Sequence, residues 1–163
     1  MSGLQVAVVL TVLGAATVFL SLSLSWQMIP GGYHRIPAPW IIGAFAAGFG
    51  AVVALLFPWE ARPEILSHGW DCTTFGLMMA APVAVVLVVL AVRGAPLSYR
   101  TLGASVGATA SLCGLTVLQF ACHNQHAGHL IVWHGGVVLI SVFAGCLLGW
   151  AAEILAARRA GAR

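Results

Sequence analysis

The sequence has very little charge: aspartate, glutamate, lysine and arginine make up 7% of its 163 residues, and none of the basic residues is lysine. A soluble domain carries roughly 25% charged residues, so this scarcity excludes an ordinary soluble fold. Apolar residues make up 61%, and the mean hydropathy is +1.01. The chain is therefore an integral membrane protein. Its arginines lie between apolar runs rather than in one cluster, so we expect no direct contact with nucleic acid.

The sequence also lacks the motifs that mark common enzyme sites. It contains no nucleophile–base motif, no glycine-rich phosphate loop and no paired carboxylates. The four cysteines show no CxxC spacing, which argues against a zinc ribbon or finger. We therefore expect no catalytic residues and a protein that is not an enzyme.

Five apolar runs approach the length of about 20 residues that a membrane helix needs. They cover residues 4–24, 40–58, 73–92, 101–121 and 132–151. The first run has no basic segment before it and no small-residue cleavage site, so we interpret it as a span rather than a signal peptide. The runs predict an all-α bundle of about five transmembrane helices, forming a single domain over residues 1–163.

The central parts of these runs contain no Asp, Glu, Lys, Arg or His. Ionisable groups within a membrane mark ion and proton pathways, so their absence argues against a pump, channel or proton-coupled transporter. Glycines recur at spacing four in the last two runs, as Gly103/Gly107 and Gly145/Gly149. This GxxxG pattern predicts that these two helices pack closely.

The placement of arginine predicts the orientation of the chain. Alternate connections leave Arg62 alone on one side and group the others on the opposite side: Arg35, Arg93, Arg100, Arg158, Arg159 and Arg163. Basic residues favour the cytoplasmic side, so we expect a multi-pass protein of a bacterial inner membrane, with the N-terminus outside and the C-terminus cytoplasmic. The loops 59–71 and 122–131 then share the outer face.

Cys72 and Cys122 are equally far from Leu97, which lies in the turn between the third and fourth runs. Two helices joined there rise equally, by about 1.5 Å per residue, so both cysteines should reach the same level at the outer surface. Facing cysteines on neighbouring helices can meet the Cα separation that a disulfide requires. The residues leave open whether the pair is a structural disulfide or a responsive thiol pair. Cys113 and Cys146, within spans, are expected to be buried and inert.

Four histidines accompany the second of these cysteines: His123, His126, His129 and His134. A spacing of three places the first three near one helical face if the fourth helix continues through them. Zinc or copper takes three or four such ligands, and Cys122 or His134 would complete the shell. The alternative is a solvated histidine loop without a ligand role. For His134, beside Trp133, we favour a position in the interfacial belt.

Several features of the second half of the chain follow one another in a fixed order. A cysteine opens the third run, Pro82 lies within it, an Arg-Gly-Ala-Pro turn follows at residues 93–96, and a glycine-rich run closes on Cys122, with Trp133-His134 after it. This set, over about residues 70–150, resembles the NrsF-like anti-sigma factors. The resemblance implies a polytopic inner-membrane protein that holds a cytoplasmic sigma factor inactive. It also implies that Cys72 and Cys122 sense oxidative or heavy-metal stress.

Two other functions stay open beside this one. Short loops and glycine-lined faces are also typical of a non-catalytic accessory subunit, whose partners would be other membrane subunits and the lipid bilayer. The histidine series is richer than we expect of the family. It alternatively predicts a metal-binding membrane protein that uses the His/Cys loop to hold a transition metal such as zinc or copper.

Overall fold

The computed structural model describes residues 2–29, 37–59, 69–94, 96 and 98–161. Within these ranges the chain is all-α, with five helices long and apolar enough to cross a membrane. Helix α1 is Gly3–Gln27, α2 is Ala38–Leu56, α3 is Trp70–Ala91 and α4 is Tyr99–Ala121. Helix α5 begins with Ala127–His129, passes through a π-helical turn at Leu130–His134 and continues as Gly135–Gly161. The all-α membrane bundle predicted from the apolar runs is confirmed.

Local sequence explains where several helices begin. Before α1, the Ser2 hydroxyl accepts a hydrogen bond from the Gln5 backbone N–H, and the Gln5 side chain accepts one from the Ser2 backbone N–H. This reciprocal pair satisfies two N–H groups that a helix start otherwise leaves open. Pro37 precedes α2, and the Ser98 hydroxyl accepts from the Thr101 N–H at the start of α4. The starts of α1, α2 and α4 are therefore encoded by residues that directly precede each helix.

Helix α4 is the centre of the bundle. Of the residues in an 18-residue apolar stretch of α4, 67% are buried, whereas in the corresponding stretches of the other four helices the share is 17–28%. It packs against α1, α3 and α5, and its side chains Leu112 and Leu115 lie in the largest buried apolar cluster. The outer faces of the other helices remain exposed and apolar, as expected of surfaces that contact lipid.

Small residues allow α4 and α5 to approach backbone to backbone. A Cβ atom added to Gly103 would collide with the carbonyl oxygen of Gly145, and one added to Gly107 would collide with that of Ser141. Gly149 meets the carbonyl oxygen of Tyr99 in the same way. The close packing predicted from the GxxxG pairs is therefore confirmed.

A third helix uses another face of α4. A Cβ atom at Gly114 would collide with the carbonyl oxygen of Gly76 in α3. Beyond this contact α3 and α5 diverge, and an apolar groove of about 300 Å³ opens between them along α4. Its walls include Ala84 and Val88 on one side and Ala144 on the other. Helix α3 thus contacts α5 mainly near the first turns of α3.

The two ends of the bundle differ in chemistry. We name them the cysteine end, which carries Cys72 and Cys122, and the arginine end, which carries the arginines of the described ranges: Arg93, Arg100, Arg158 and Arg159. Exposed tryptophans mark both ends: Trp26, Trp40 and Trp150 towards the arginine end, and Trp59 and Trp70 at the cysteine end. Such rings are typical of membrane–water interfaces. Arg35, Arg62 and Arg163 lie outside the described residues.

The fifth span differs most from expectation. Its helix begins at Ala127 rather than at residue 132, and the predicted loop 122–131 shortens to residues 122–126. The helix starts early because the Ala127 N–H is held by the carbonyl oxygen of Pro58, at 2.9 Å, where α2 has just ended. His129 and His134 therefore lie in the first turns of this helix, and the stretch 135–152 that follows them contains no Asp, Glu, Lys, Arg or His.

The expected burial of the other two cysteines is also corrected. Cys113 is exposed on the surface of α4, and Cys146 is half-buried. Cys113 shares an exposed stripe with Val117 and Phe120, at helical spacings of four and three. The small residues of α4 turn towards its neighbouring helices, which leaves this stripe facing outward.

Candidate functional site

The two cysteines of the cysteine end lie side by side. Cys72 is in the first turn of α3, and Cys122 directly follows the last residue of α4. Their Sγ atoms are 3.5 Å apart, although 50 residues separate them in the chain, and both are free thiols. The predicted equal height of the two positions is present, and the rotation of both helices, which spacing alone does not determine, turns the thiols towards each other.

Two histidines of α5 complete the group. Nε2 of His129 lies 3.4 Å from Sγ of Cys122. The His134 ring meets the His129 ring edge-on, with centroids 5.6 Å apart and an interplanar angle of 72°. One ligand atom from each of Cys72, Cys122, His129 and His134 lies within 4.8 Å of the other three. We call these four residues the Cys/His tetrad.

The other two predicted ligands lie outside the tetrad. Helix α4 ends at Ala121 and Cys122 has an extended backbone, so the histidine series does not continue along one helical face. Asn124 forms a local turn, its Oδ1 accepting from the His126 N–H at 3.1 Å and lying 2.8 Å from His126 Nδ1. His123 is exposed. The structure therefore brings His129 and His134 to the cysteines and leaves His123 and His126 apart.

A π-helical turn is what brings the two tetrad histidines to one side. Residues five apart on an α-helix lie about 140° apart around the axis, so His129 and His134 would point in different directions. In a π-helical turn, residues i and i+5 are linked by a hydrogen bond and lie nearly above one another. The turn Leu130–His134 follows His129 directly and gives the pair this alignment. Such turns occur frequently at functional sites.

Contacts from the start of α3 fix the π-helical turn in place. The Thr73 hydroxyl donates a hydrogen bond to the Trp133 carbonyl oxygen, at 3.0 Å. Gly69 lies directly against the Trp133 indole, because any Cβ there would collide with the ring. Sequence reasoning singled out neither Thr73 nor Gly69. Thr73 is next to Cys72 and Gly69 lies three residues before it, but this proximity carries no information about their contacts with Trp133, which for Thr73 is 60 residues away.

His134 does not occupy the interfacial position that the sequence favoured. Its side chain is 0% exposed, and neither ring nitrogen has a hydrogen-bond partner among the described residues. A belt residue keeps its polar atoms in contact with water or headgroups, whereas those of His134 are enclosed beside the thiols. Buried polar atoms without a protein partner are rare in folded proteins, and many of them bind an ion or an ordered water instead.

The tetrad offers two kinds of chemistry. Two thiols 3.5 Å apart can be oxidised to a disulfide after a short approach of the sulfur atoms. Two thiolates with two imidazoles also form a ligand set that suits a tetrahedral zinc ion. No other group of three or more potential metal ligands was found in the described parts of the chain.

The sequence is similar to one family of known proteins. A family model described as "NrsF: Negative regulator of sigma F" matches residues 3–152. The match extends beyond residues 70–150, on which the resemblance rested, and includes α1 and α2. No curated protein and no solved structure matches the chain.

Proposed function

The chain belongs to the NrsF family of negative regulators of sigma F, and from this premise we propose that it is a membrane-embedded anti-sigma factor that senses stress through Cys72 and Cys122. The observation that carries the proposal is the family match over residues 3–152, which covers all five membrane-spanning helices almost completely. In the proposed resting state the protein holds a sigma factor inactive at the cytoplasmic face of a bacterial inner membrane.

The distribution of charge supports an orientation for this role. Arg93, Arg158 and Arg159 are exposed at the arginine end, while the thiols lie at the opposite end. Basic residues are retained on the cytoplasmic side of a membrane. The arginine end would then meet the sigma factor in the cytoplasm. The cysteine end would face the oxidising exterior, where thiols meet oxidants and metal ions.

The thiol pair has a defined oxidation step. A peroxide that accepts two electrons would convert the two thiols into one disulfide, and the two thiol protons would leave in the two water molecules formed from hydrogen peroxide. The sulfur atoms, 3.5 Å apart, would approach to about 2.05 Å. Because Cys72 belongs to α3 and Cys122 follows α4, bond formation changes the packing of these two helices.

A path from the thiols to the arginine end runs along α3. Gly76 in α3 packs directly on Gly114 in α4, so the two helices cannot move closer there without displacing backbone. At the far end of α3, Gly94 contacts the backbone of Met28, which ends α1. A displacement of Cys72 would therefore also displace the turn that carries Arg93. Packed helices respond to such changes by switching between discrete arrangements.

The anti-sigma role is tested by transcription in the producing bacterium. Deleting the gene should raise the transcripts of promoters that share one sigma-factor motif. Deleting the matching sigma-factor gene as well should abolish the rise. Unchanged transcripts after the first deletion would contradict an anti-sigma role.

The sensing role is tested separately, by complementing that deletion strain. Strains carrying Cys72→Ser or Cys122→Ser should repress without stress but lose induction by peroxide. A Cys113→Ser strain is the matched control, because this exposed cysteine lies elsewhere on α4 and should leave induction unchanged. Normal induction in both tetrad variants would reject the cysteines as sensors while leaving the anti-sigma role intact.

A further inference from the structure

We propose that the Cys/His tetrad binds one divalent zinc-class metal ion, with Cys72, Cys122, His129 and His134 as its four protein ligands. The inference deepens the proposed function and rests on it in one respect: the metal centre would be the element through which the thiol pair senses. The metal site itself is argued from geometry, burial and charge.

The distances within the tetrad are close to those of a tetrahedral zinc centre. Bond lengths of about 2.3 Å to sulfur and about 2.0–2.1 Å to nitrogen give edges of about 3.8 Å between two sulfurs, 3.6 Å between sulfur and nitrogen and 3.3 Å between two nitrogens. The Cys72–Cys122 edge is 3.5 Å and the Cys122–His129 edge is 3.4 Å. All remaining pairs lie within 4.8 Å. Side-chain rotations that move these atoms by about 1–1.5 Å would close the tetrahedron.

The state of His134 is the independent observation that points to a ligand. Its side chain is fully buried, and both ring nitrogens lack a hydrogen-bond partner within the described ranges. Leaving buried polar atoms unpaired lowers the stability of the folded state, so proteins rarely retain such atoms without a use. A metal ion bonded to one of these nitrogens would supply the partner that this nitrogen lacks.

The charge of the ligand set favours an ion of a particular charge. Two thiolates carry two negative charges and two neutral imidazoles carry none, so a divalent ion makes a neutral centre. A monovalent ion would leave one negative charge at a site where His129 and His134 are 3% and 0% exposed. Burying an unpaired charge is expensive, which favours the divalent ion. Binding displaces one proton from each thiol, so two protons leave for each ion bound.

The backbone around the tetrad supports a closed site of fixed shape. The ligands come from three parts of the fold: the first turn of α3, the residue that follows α4, and the first turns of α5, which include the π-helical turn. Thr73 ties the first of these to the last through its hydrogen bond to the Trp133 carbonyl oxygen. Four protein ligands without an open position are typical of structural and regulatory zinc sites rather than catalytic ones.

Metal binding by the purified full-length protein tests the inference directly. The reduced, metal-free protein in lipid nanodiscs is titrated with Co²⁺, whose tetrahedral thiolate complexes absorb in the visible and near-ultraviolet. Zn²⁺ is then added in competition. One Co²⁺ per chain should bind with tetrahedral and thiolate-to-metal bands, and one Zn²⁺ should displace it. Absence of these bands, or a stoichiometry far below one, would overturn the metal site.

Variants assign the ligands. His129→Ala and His134→Ala should each lower Zn²⁺ affinity by at least about tenfold, since even outer-shell changes cost 10–100-fold. His123→Ala and His126→Ala are matched controls from the same stretch and should leave affinity unchanged. The reverse result would place the metal on His123 and His126 and reject the tetrad.

A second variant guards against misfolding. His134→Cys keeps a soft ligand at this position, so it should still bind Co²⁺ and show a stronger thiolate band. Loss of binding in this variant as well as in His134→Ala, with normal helicity and elution volume, would speak for a different ligand arrangement and against the tetrad.

Failure of the metal site and failure of the proposed function give different results. A wild-type protein that binds no metal but induces transcription through Cys72 and Cys122 would overturn the metal site alone. A His134→Ala variant that loses metal yet responds normally to stress would overturn the metal as the sensing element. A gene deletion without effect on sigma-dependent transcripts would reject the regulatory role, whatever the metal titration shows.

Discussion

Gly103 and Gly145 are in direct backbone contact, and a Cβ atom added to either glycine would collide with the carbonyl oxygen of the other. The contact lies between the central helix α4 and α5, and it is repeated at neighbouring turns. In a membrane there is no hydrophobic drive between helices, so van der Waals contact of this closeness supplies much of the association. The stability of the bundle should therefore depend on these glycines more than on its large apolar residues.

We expect Gly145→Leu to destabilise the protein by about 1–3 kcal/mol or more, because the new side chain forces two backbones apart. Gly48→Leu is the matched control, since Gly48 is an exposed helix glycine with no atom within 4 Å of its Cβ position. Thermal unfolding in detergent measures the difference. A melting temperature for Gly145→Leu equal to that of the control would show that α4 and α5 are not packed in this way.

A hydrogen bond from α3 should control the geometry of the tetrad. Thr73→Val keeps the shape of a side chain that is 2% exposed but removes the donor to the Trp133 carbonyl oxygen. We expect a loss of about 1 kcal/mol in stability and a Zn²⁺ affinity lowered by about tenfold, as for other outer-shell changes. Thr74→Val is the control, because Thr74 is exposed and its hydroxyl bonds within its own helix. Equal affinities for the two variants would separate the π-helical turn from metal binding.

Oxidation of the metal-free protein should be selective for one pair of cysteines. A mild oxidant should join Cys72 to Cys122 and leave Cys113 and Cys146 available for alkylation, because only the first two have neighbouring thiols in the structure. Peptide mass spectrometry without reduction identifies the linked peptides. Bound Zn²⁺ should slow the reaction, since its thiolates are already engaged. Equal labelling of all four cysteines after oxidation would contradict this arrangement.

Removal of the metal should lower stability, and so should acid. At a free Zn²⁺ concentration 100 times the dissociation constant, binding stabilises the folded state by about 2.7 kcal/mol, which a chelator would remove. Protons compete with the metal for thiolate and imidazole, so the affinity should fall as the pH falls. Thermal unfolding with and without chelator, at several pH values, measures both effects. A melting temperature that ignores chelator at every pH would leave the metal without a structural role.

The orientation is open to a direct test at the arginine end. If this end is cytoplasmic, a fluorescent protein fused after Arg163 should fold and fluoresce, whereas alkaline phosphatase fused there should stay inactive. The opposite pair of results would place the cysteine end in the cytoplasm, where thiols are kept reduced. Oxidative sensing of the proposed kind would then lose its basis.

The sequence predicted those features that follow from length and spacing. The five helices follow from apolar runs near 20 residues, because a membrane leaves the backbone no alternative to a closed hydrogen-bond pattern. The equal height of Cys72 and Cys122 in the bundle follows from the equal number of residues between each cysteine and Leu97. The contact of α4 with α5 follows from glycines repeated at spacing four.

What the sequence did not predict depends on two irregularities of the backbone near the tetrad. His129 and His134 are five residues apart, a spacing that α-helical periodicity assigns to different faces, whereas His123, His126 and His129 match that periodicity well. Because the helix breaks at Cys122 and a π-helical turn follows His129, it is His129 and His134 that lie together, whereas His123 and His126 lie apart from them. Both irregularities are set by long-range contacts, of Ala127 with Pro58 and of Thr73 with Trp133, that leave no periodic signal.

Because α3 diverges from α5, it has room to tilt as a rigid rod about its contact with α4. Its firm backbone contact with α4 lies at Gly76, four residues from Cys72 and fifteen from Ala91. At about 1.5 Å per residue, the arms measure about 6 Å and about 22 Å. A tilt that moves Cys72 by about 0.5 Å would carry the other end by nearly four times as much, towards or away from the groove. In the proposed mechanism, disulfide formation at the cysteine end would therefore displace the arginine end, where the sigma factor would be bound.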